Sequence, residues 1–352
     1  MKSIEQVLIY RVGNLGDTIC AIPSMVAVRQ RFPNANIVLL TNKSDPGQPD
    51  CEQILKGNDY IDRFITYSPE RLREPGYLFW LFKTIFALKS DLLVYLALSE
   101  SKRQRLIRDW LFFKFAGSKY CLGFKLPQPI DSFISDGNVL PVFLQETDRL
   151  MSLLLPLGIS ADQVNFKLPI TEADTDEVER LCRKNKLDLA CKVVAVCPAS
   201  KFQSKLWPVE RFAEVIDYIV NAHGVKVVLI GGSSEKIAGE RICAHTGESV
   251  INLIGKTNFM QTAVLLSRCV LLVANDCGPV HLAAAVATPV VGIYASIHYP
   301  GAWHPWGSIH TVLRNDSFAC RFCFKKECSL MSCISSITTD QVTKACSDHL
   351  SS

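Results

Sequence analysis

Apolar runs alternate with amphipathic stretches along the chain, a pattern typical of parallel α/β folds. The first apolar run, Val7–Val12, leads into a glycine-bearing turn at Gly13–Asp17 and a helical stretch that continues to about Arg31, where Pro33 ends it. A second apolar run, Ile37–Thr41, comes directly afterwards. These elements predict a β-α-β unit, and therefore a parallel sheet from the start of the chain.

The rest of the chain continues this alternation of strands and helices. In the first half, the pattern predicts strands at Asp91–Leu98 and Lys119–Phe124 and a helix at Gln145–Leu157. In the second half, it predicts strands at Val193–Cys197, Val225–Ile230, Leu271–Ala274 and Val290–Tyr294, and helices at Pro208–His223 and Pro279–Ala287. A final amphipathic segment, Thr339–Leu350, predicts a terminal helix. The sequence leaves open which domain this helix packs on, including back on the first.

Chain length and the breaks in the pattern predict two domains. The chain has 352 residues, whereas single hydrophobic cores stop growing at about 250 to 300 residues. The alternation pauses around Pro169. We therefore expect an N-terminal Rossmann-like domain at residues 1–168 and a C-terminal Rossmann-like domain at residues 169–352.

Composition excludes several classes of protein. With 48% hydrophobic residues, 20% charged residues and a formal net charge of +4, the chain is globular in composition and gives no reason to expect a nucleic-acid partner. Most of the fourteen cysteines lie inside apolar runs, where cysteine packs as a small hydrophobic residue; examples are Cys121, Cys182, Cys197, Cys243 and Cys269. Because the first ten residues also lack the pattern of a signal peptide, we expect a reduced, cytoplasmic protein.

The longest apolar region, Tyr77–Leu98, is interrupted by Lys83, Lys89 and Asp91. It is therefore too short between charges to predict a transmembrane helix, which needs about 20 apolar residues. Its first part, Tyr77–Lys83, is unusually aromatic. Two interpretations of this segment stay open: an ordinary core helix, or a peripheral contact with the inner face of the inner membrane.

Candidate chemistry lies in the loops after the predicted strands, because ligands of open parallel sheets bind beyond the carboxyl ends of the strands. The Gly13–Asp17 turn opens a helix, and its backbone N–H groups can hold an anion. Asp17 has two interpretations, a helix cap or a general base that deprotonates an acceptor hydroxyl. The loop after Cys197 carries Ser200 and Lys205, whose hydroxyl and ammonium groups beside a helix start suit a diphosphate, although a solvated basic loop has the same composition.

Two further turns carry polar residues at strand ends. Glu235 follows Gly231-Gly232 and is placed to accept hydrogen bonds from ribose hydroxyls. The segment from Asn275 to Ala285 bridges a buried strand and an alanine-rich helix, and its turn is dense in polar residues. We expect a ligand site here, formed by Asp276, Cys277, Gly278 and His281.

Together these segments resemble the signatures of glycosyltransferase family 9, the ADP-heptose:lipopolysaccharide heptosyltransferases. The matching segments are Gly16–Pro23, Lys205–Pro208 with Arg211-Phe212, Gly231-Gly232 with Glu235, and Asn275–Ala285. They follow one another in the family's order over nearly the whole chain.

The resemblance implies the α/β fold class GT-B, in which two facing Rossmann-like domains bind acceptor and nucleotide sugar with an active-site cleft between them. It implies transfer of L-glycero-D-manno-heptose from ADP-heptose to a lipid-linked oligosaccharide of the lipopolysaccharide inner core, with inversion and without a required cofactor. By resemblance, Asp17 is the catalytic base, Lys205 and Ser200 hold the diphosphate, and Glu235 binds the ribose. The remaining donor-binding residues implied are Gly16, Asp276, Cys277, Gly278 and His281. The family usually has Thr or Ser at the position of Cys277, which puts the donor sugar in question.

Other readings remain open at this point. A protein acceptor such as an autotransporter, another nucleotide sugar, or a nucleotide-sugar-binding module without catalysis each fit the same segments. A nicotinamide-dependent oxidoreductase fits less well because the first turn has Gly13-x-x-Gly16 instead of G-x-G-x-x-G. A less favoured reading assigns a metal site to the C-terminal cysteines Cys320, Cys323, Cys328 and Cys333, whose spacing suits zinc or iron.

Overall fold

A computed structural model describes residues 4–44, 49–97, 102–126, 128–135, 137–247 and 250–351. The chain divides into two compact units. The first comprises Met1–Pro129 and Phe143–Pro169, and the second comprises Ile130–Val142 and Ile170–Ser352. The chain therefore leaves the first unit after Pro129 and returns to it before passing finally into the second.

A five-stranded parallel sheet forms the centre of the first unit. Its strands are β1 (Gln6–Tyr10), β2 (Asn36–Asn42), β3 (Arg63–Tyr67), β4 (Leu92–Tyr95) and β5 (Tyr120–Leu122), in the spatial order β3-β2-β1-β4-β5. The strands β1, β2 and β4 are buried on both faces, as expected for a parallel sheet covered by helices. Strand order reverses between β1 and β4, and this switch point is where such sheets bind ligands.

The helices of the first unit are α1 (Leu15–Arg31), α2 (Cys51–Ile54), α3 (Pro75–Leu88), α4 (Arg103–Phe115) and α5 (Glu146–Ser152). Helix α1 is buried almost continuously from Leu15 to Val28. Helices α3 and α4 pack on the sheet through a few residues each, among them Leu81 and Phe113, and leave their other sides in solvent. The predicted strand Asp91–Leu98 corresponds to β4, and Leu98 lies outside the described residues.

The second unit contains a six-stranded parallel sheet and a hairpin. The hairpin strands are β6 (Pro129–Ser135) and β7 (Asn138–Phe143). The sheet consists of β8 (Val193–Cys197), β9 (Lys226–Leu229), β10 (Val250–Asn252), β11 (Leu271–Asn275), β12 (Val290–Tyr294) and β13 (Thr311–Arg314), in the order β10-β9-β8-β11-β12-β13. Its switch point lies between β8 and β11. The two sheets confirm the expected α/β class with two Rossmann-like domains.

The helices of the second unit are α6 (Glu172–Lys184), α7 (Val209–His223), α8 (Lys236–Thr246), α9 (Phe259–Ser267), α10 (Gly278–Ala285), α11 (Ser332–Ser335) and α12 (Thr339–Leu350). The terminal helix α12 packs in the second unit, where Val342 and Cys346 join the same core as Phe212 and Ile216 of α7. The sequence had left this point open.

Two properties of the described chain bear on the sequence expectations. None of its helices combines the length and the apolar character that crossing a bilayer requires. The fourteen cysteines all lie among the described residues, and all are free thiols.

Candidate functional site

The carboxyl ends of β8 and β11 meet at the switch point of the second sheet, and a buried amide joins their loops. Asn275, the last residue of β11, is fully buried. Its Oδ1 accepts a hydrogen bond from the backbone N–H of Trp207 (3.2 Å), and its Nδ2 donates to the carbonyl of Pro198 (2.8 Å). The loop that follows β8 is therefore held at both ends against β11.

A buried ion pair lies directly beyond this amide. The Nζ of Lys205 is 2.6 Å from Oδ2 of Asp276, and the two residues are only 9% and 8% exposed. Burial by itself acts to raise the pKa of Asp276, but the ammonium of Lys205 outweighs it and, with smaller contributions from His298 and His281, holds the pKa below its ordinary value. The pair places a fixed cation at the strand ends.

The loop after β8 surrounds this cation with further contacts. The hydroxyl of Ser200 donates to the carbonyl of Asp276 (2.9 Å), so the loop and the β11–α10 turn are joined a second time. The ring of Phe202 lies 5.3 Å from the Lys205 ammonium. The hydroxyl of Ser204 makes a hydrogen bond within the protein, because it donates to the carbonyl of Lys325 (2.6 Å).

The start of α10 forms the other side of the site. Cys277 is the residue before the helix, Gly278 begins it, and His281 is buried in its first turns with its ring 6.4 Å from the ring of Trp303. The Cys277 thiol lies 3.8 Å from that of Cys197, and this contact together with burial raises the pKa of Cys277 well above the ordinary value. A helix start of this kind presents N–H groups and a partial positive charge to an anion.

Glu235 lies in the turn that follows the neighbouring strand β9, which ends at Leu229. It ends a short 3₁₀ turn, Ser233–Glu235, and directly precedes α8. Its Oε1 accepts a hydrogen bond from the Ser234 hydroxyl (2.6 Å). Because β9 and β8 are adjacent parallel strands, Glu235 and the loop of Lys205 share one edge of the sheet.

In the first unit, Asp17 lies in the first turn of α1, next to Gly16. Its Oδ2 accepts a hydrogen bond from the backbone N–H of Asn14 (2.6 Å), so the capping interaction considered from the sequence is present. Gly13 has a φ of +139°, and a Cβ built there would lie 2.4 Å from the Cβ of Asp17. The turn therefore needs glycine at this position to leave room for the carboxylate.

A buried charge cluster beneath Asp17 was not expected from the sequence. The guanidinium of Arg11 donates to the main-chain carbonyl of Asp17 through Nε (3.1 Å) and Nη2 (2.8 Å), and Nη2 is 3.7 Å from Oδ1 of the carboxylate. Its Nη1 donates to the carbonyl of Leu96 and to Glu146, which is also paired with Arg149. Arg11, Glu146 and Arg149 are all buried. They fix the position of the turn that carries Asp17.

Two residues of the second unit also went unassigned from the sequence. Asn275 stands inside the segment singled out there, but its role as a bridge depends on Pro198 and Trp207, which are distant in the chain. His298 acts on the charge of Asp276 from the loop after β12, where no motif marked it. In both cases the only available signal was a polar residue at, or a few residues after, the end of a buried strand.

The C-terminal cysteines are not gathered as metal ligands. Among the described residues, which include Cys320, Cys323, Cys328 and Cys333, no three His, Cys, Asp or Glu side chains are grouped so as to hold a metal ion.

Comparison of the sequence with known proteins identifies one family. The sequence profile of glycosyltransferase family 9 (heptosyltransferase) matches residues 141–334, more than half of the chain. The lipopolysaccharide core heptosyltransferase OpsX of Haemophilus influenzae is 27% identical over 168 residues, which cover 47% of this chain and 46% of that protein. The chain thus spans about half the length of such curated relatives.

Solved structures resemble the whole chain. A glycosyl transferase of family 9 from Veillonella parvula superimposes with a TM-score of 0.73 at 22% identity, covering 98% of this chain and 97% of the other. The ADP-heptose lps heptosyltransferase II of E. coli gives a TM-score of 0.64 at 21% identity, with 98% of each chain covered. At these identities the likeness establishes only the fold, which the two solved structures share with this chain.

Proposed function

Because the chain belongs to glycosyltransferase family 9, the heptosyltransferases, we propose that it transfers L-glycero-D-manno-heptose from ADP-heptose to an acceptor of the lipopolysaccharide inner core, with inversion at the anomeric carbon. The observation that carries this proposal is the buried Lys205–Asp276 pair at the carboxyl ends of β8 and β11, beside the start of α10. A cation and a helix start at the switch point suit a nucleoside diphosphate.

The donor site supports the departure of ADP. The ammonium of Lys205 has three N–H donors, and one of them is directed to Asp276. The other donors are available to diphosphate oxygens, whose negative charge grows as the bond to the sugar breaks. The same strand ends are surrounded by Ser200, Cys277, Gly278 and His281. Glu235, in the turn after the adjacent strand, is assigned to the ribose.

Asp17 supplies the base in this proposal. The acceptor hydroxyl loses its proton to the Asp17 carboxylate, its oxygen forms the new bond to the anomeric carbon, and ADP leaves with the electron pair of the bond that breaks. Arg11, anchored by Glu146, holds the turn of Asp17 in place. Gly16 directly precedes Asp17 in the same turn and is assigned to donor binding in this proposal. The base and the cation thus come from different units of the chain.

The test of the base compares two capping carboxylates. Asp174 stands at the third position of α6, where its Oδ2 accepts from the backbone N–H of Thr171, much as Asp17 does in α1. We expect Asp17→Asn to bind ADP like the native protein, by calorimetry, and to lose about 10²- to 10⁴-fold in turnover. Asp174→Asn should keep native turnover. Heptose transfer by Asp17→Asn at the native rate would show that Asp17 is only a cap.

The test of the diphosphate site compares two lysines of one loop. Lys205→Ala should weaken ADP binding by roughly 10-fold or more, because a charged hydrogen-bonding partner is lost. Lys201→Ala, which removes an exposed lysine of the same loop, should bind ADP normally. Thermal unfolding of each variant in the absence of ADP separates loss of folding from loss of binding. Equal ADP affinities of the two folded variants would exclude Lys205 from the site.

Acceptor and donor sugar are settled by assay. Transfer from ADP-heptose to a lipid-linked core oligosaccharide supports the proposal, whereas transfer to an autotransporter protein alone would identify the alternative acceptor class. Because Cys277 stands where the family usually has a hydroxyl, other nucleotide sugars belong in the same panel. A protein that binds ADP-sugars and transfers none would be a binding module.

A further inference from the structure

Four charged side chains connect the turn of Asp17 to helix α5. We call Arg11, Asp17, Glu146 and Arg149 the charge quartet. We propose that Glu146 is a positioning residue, which controls the basicity of Asp17 through the guanidinium of Arg11. The inference rests on the proposed function, in which Asp17 is the base, and it assigns a role in the reaction to a residue beneath that base.

Arg11 is shared unequally between the two carboxylates. Its Nη1 is 3.1 Å from Oε1 of Glu146, whereas its Nη2 is 3.7 Å from Oδ1 of Asp17. Only the first of these distances is that of a hydrogen bond. Further N–H groups of Arg11 donate to the main-chain carbonyls of Asp17 and Leu96. The guanidinium therefore binds Glu146 directly and acts on the Asp17 carboxylate as a nearby charge.

Burial strengthens the interactions within the quartet. The side chains of Arg11 and Glu146 are each 1% exposed, and that of Asp17 is 15% exposed. Charges interact more strongly away from water, because the effective dielectric constant is lower there. Arg149 donates to both carboxylate oxygens of Glu146, through Nε (2.7 Å) and Nη2 (2.9 Å). The quartet thus holds two guanidiniums against two carboxylates, and its formal charge is zero.

The thiols beside the quartet add no charge near neutral pH. Cys20 on α1 and Cys51 on α2 both lie within the influence of Arg11, and burial raises the pKa of each thiol, that of Cys51 to about 11. The pocket that Gly13 lines brings three further charged residues to this edge of the sheet, namely Arg105, Arg108 and Asp109. They belong to α4 and pair with one another. Substitutions within the quartet leave these groups in place, so differences among such variants report on the quartet.

The balance of charge determines how readily Asp17 takes a proton. A guanidinium close to a carboxyl lowers the pKa of that carboxyl, and a base whose pKa is too low accepts a proton poorly in the transition state. Glu146 opposes this effect, because its negative charge offsets that of Arg11 and its hydrogen bond holds Nη1 on the side of α5. Arg11 can therefore fix the backbone of the turn while Asp17 remains an effective base.

An NMR titration of carboxyl carbons, on the full chain without donor or acceptor, measures the pKa of Asp17, and Asp17→Asn identifies its resonance. Glu146→Gln should lower this pKa by about one pH unit, because Arg11 is then no longer offset. Arg149→Gln should raise it by about half a pH unit or more, because a cation is removed. A purely structural role of the two residues gives no reason for shifts of opposite sign.

A double variant keeps the test open if Glu146→Gln folds poorly. Glu146→Gln/Arg149→Gln leaves the formal charge of the quartet at zero, so it should regain stability that Glu146→Gln loses through an unpaired buried cation. The pKa of Asp17 in the double variant should lie between those of the two single variants. Its comparison with Arg149→Gln therefore isolates the effect of Glu146.

The matched control is Arg29→Gln, which removes a guanidinium from the same helix. Arg29 follows Asp17 by twelve residues in α1, a distance of about 18 Å along the helix axis, and it pairs with Asp62. Because salt screens charges beyond about 10 Å, this variant should leave the pKa of Asp17 at its native value. Circular dichroism and thermal unfolding verify that each variant is folded.

Kinetics connect the titration with the reaction. In folded Glu146→Gln, turnover at pH 7 should fall by about 3- to 10-fold, while the KM for ADP-heptose stays native because the donor site lies in the second unit. A native pKa of Asp17 in folded Glu146→Gln, shifts of the same sign in both single variants, or a change confined to KM would overturn the proposal. The expected titrations in a protein that transfers no heptose would contradict the proposed function and leave the control of Asp17 by Glu146 intact.

Discussion

Removing the cation of the Lys205–Asp276 pair should destabilise the second unit strongly. Lys205→Met keeps the length and apolar stem of the side chain but leaves the Asp276 carboxylate buried without its partner at 2.6 Å. Breaking a buried ion pair from one side typically costs about 3 to 5 kcal/mol. Lys205→Met/Asp276→Leu removes both charges and should recover most of that loss, because an apolar pair of similar volume has no desolvated charge.

The same substitution should change how stability depends on pH. In the native protein the pKa of Asp276 is lowered, so its contribution is present above about pH 4 and is lost as the pH falls. Without Lys205, burial raises this pKa, and the folded state then holds a proton that the unfolded chain has released. Stability of Lys205→Met should therefore decrease as the pH rises from about 5, by up to about 1.4 kcal/mol for each pH unit.

Urea denaturation, followed by circular dichroism at several pH values, measures both effects. The control is Arg241→Met, which breaks an ion pair between Arg241 and Glu210 in which both side chains are 60% exposed. We expect that variant to lose less than about 1 kcal/mol. A loss below about 1 kcal/mol in Lys205→Met as well, with no added dependence on pH, would refute the reasoning that this pair is electrostatically buried.

Three further outcomes are expected. Gly13→Ala forces a Cβ against Asp17 at a φ of +139°. It should lower the free energy of unfolding by about 1 to 3 kcal/mol, measured by thermal unfolding, and should also lower turnover. Native stability and turnover would mean that the turn relaxes freely. Cys277→Ser supplies a hydroxyl beside Cys197, and we expect calorimetry to show that ADP binds this variant about 2- to 10-fold more tightly. An unchanged affinity for ADP would argue against contact between residue 277 and the donor. Burial, helped by Arg314, lowers the pKa of His304 to about 4. Acidification from pH 6.5 to 4 should therefore remove up to about 3 kcal/mol from the free energy of unfolding. In His304→Gln, the free energy of unfolding should depend less on pH over this range.

The sequence predicted best the elements that are buried on both faces. Strands β8 and β12 begin and end at the predicted residues because every position in them is apolar and buried. Helix α4 was not predicted, since its outward residues include Trp110 and Phe115 and its apolar and polar positions do not separate cleanly. The edge strand β3 mixes exposed and buried residues in the same way.

The candidate site was predictable in its location but not in its pairings. Strand ends identified the loops of Lys205, Glu235 and Asp276, because parallel strands bring their carboxyl ends to one edge. That Lys205 pairs with Asp276 depends on the order of β8 and β11 in the sheet, which no local pattern encodes. The cluster beneath Asp17 was out of reach for the same reason, since Arg11 and Glu146 are brought together only by folding.

The ion pair between Arg11 and Glu146 also determines when, during translation, the first unit can finish folding. The first unit is discontinuous, because Phe143–Pro169 returns to it after the hairpin of β6 and β7. While the ribosome has made only β1 to β5, the guanidinium of Arg11, just after β1, has Asp17 nearby but lacks Glu146, the carboxylate that is closer to it in the complete fold. The first unit therefore completes its interior only after α5 has emerged. A chain truncated at Pro129 should expose the charge of Arg11 and be recovered mainly as aggregate.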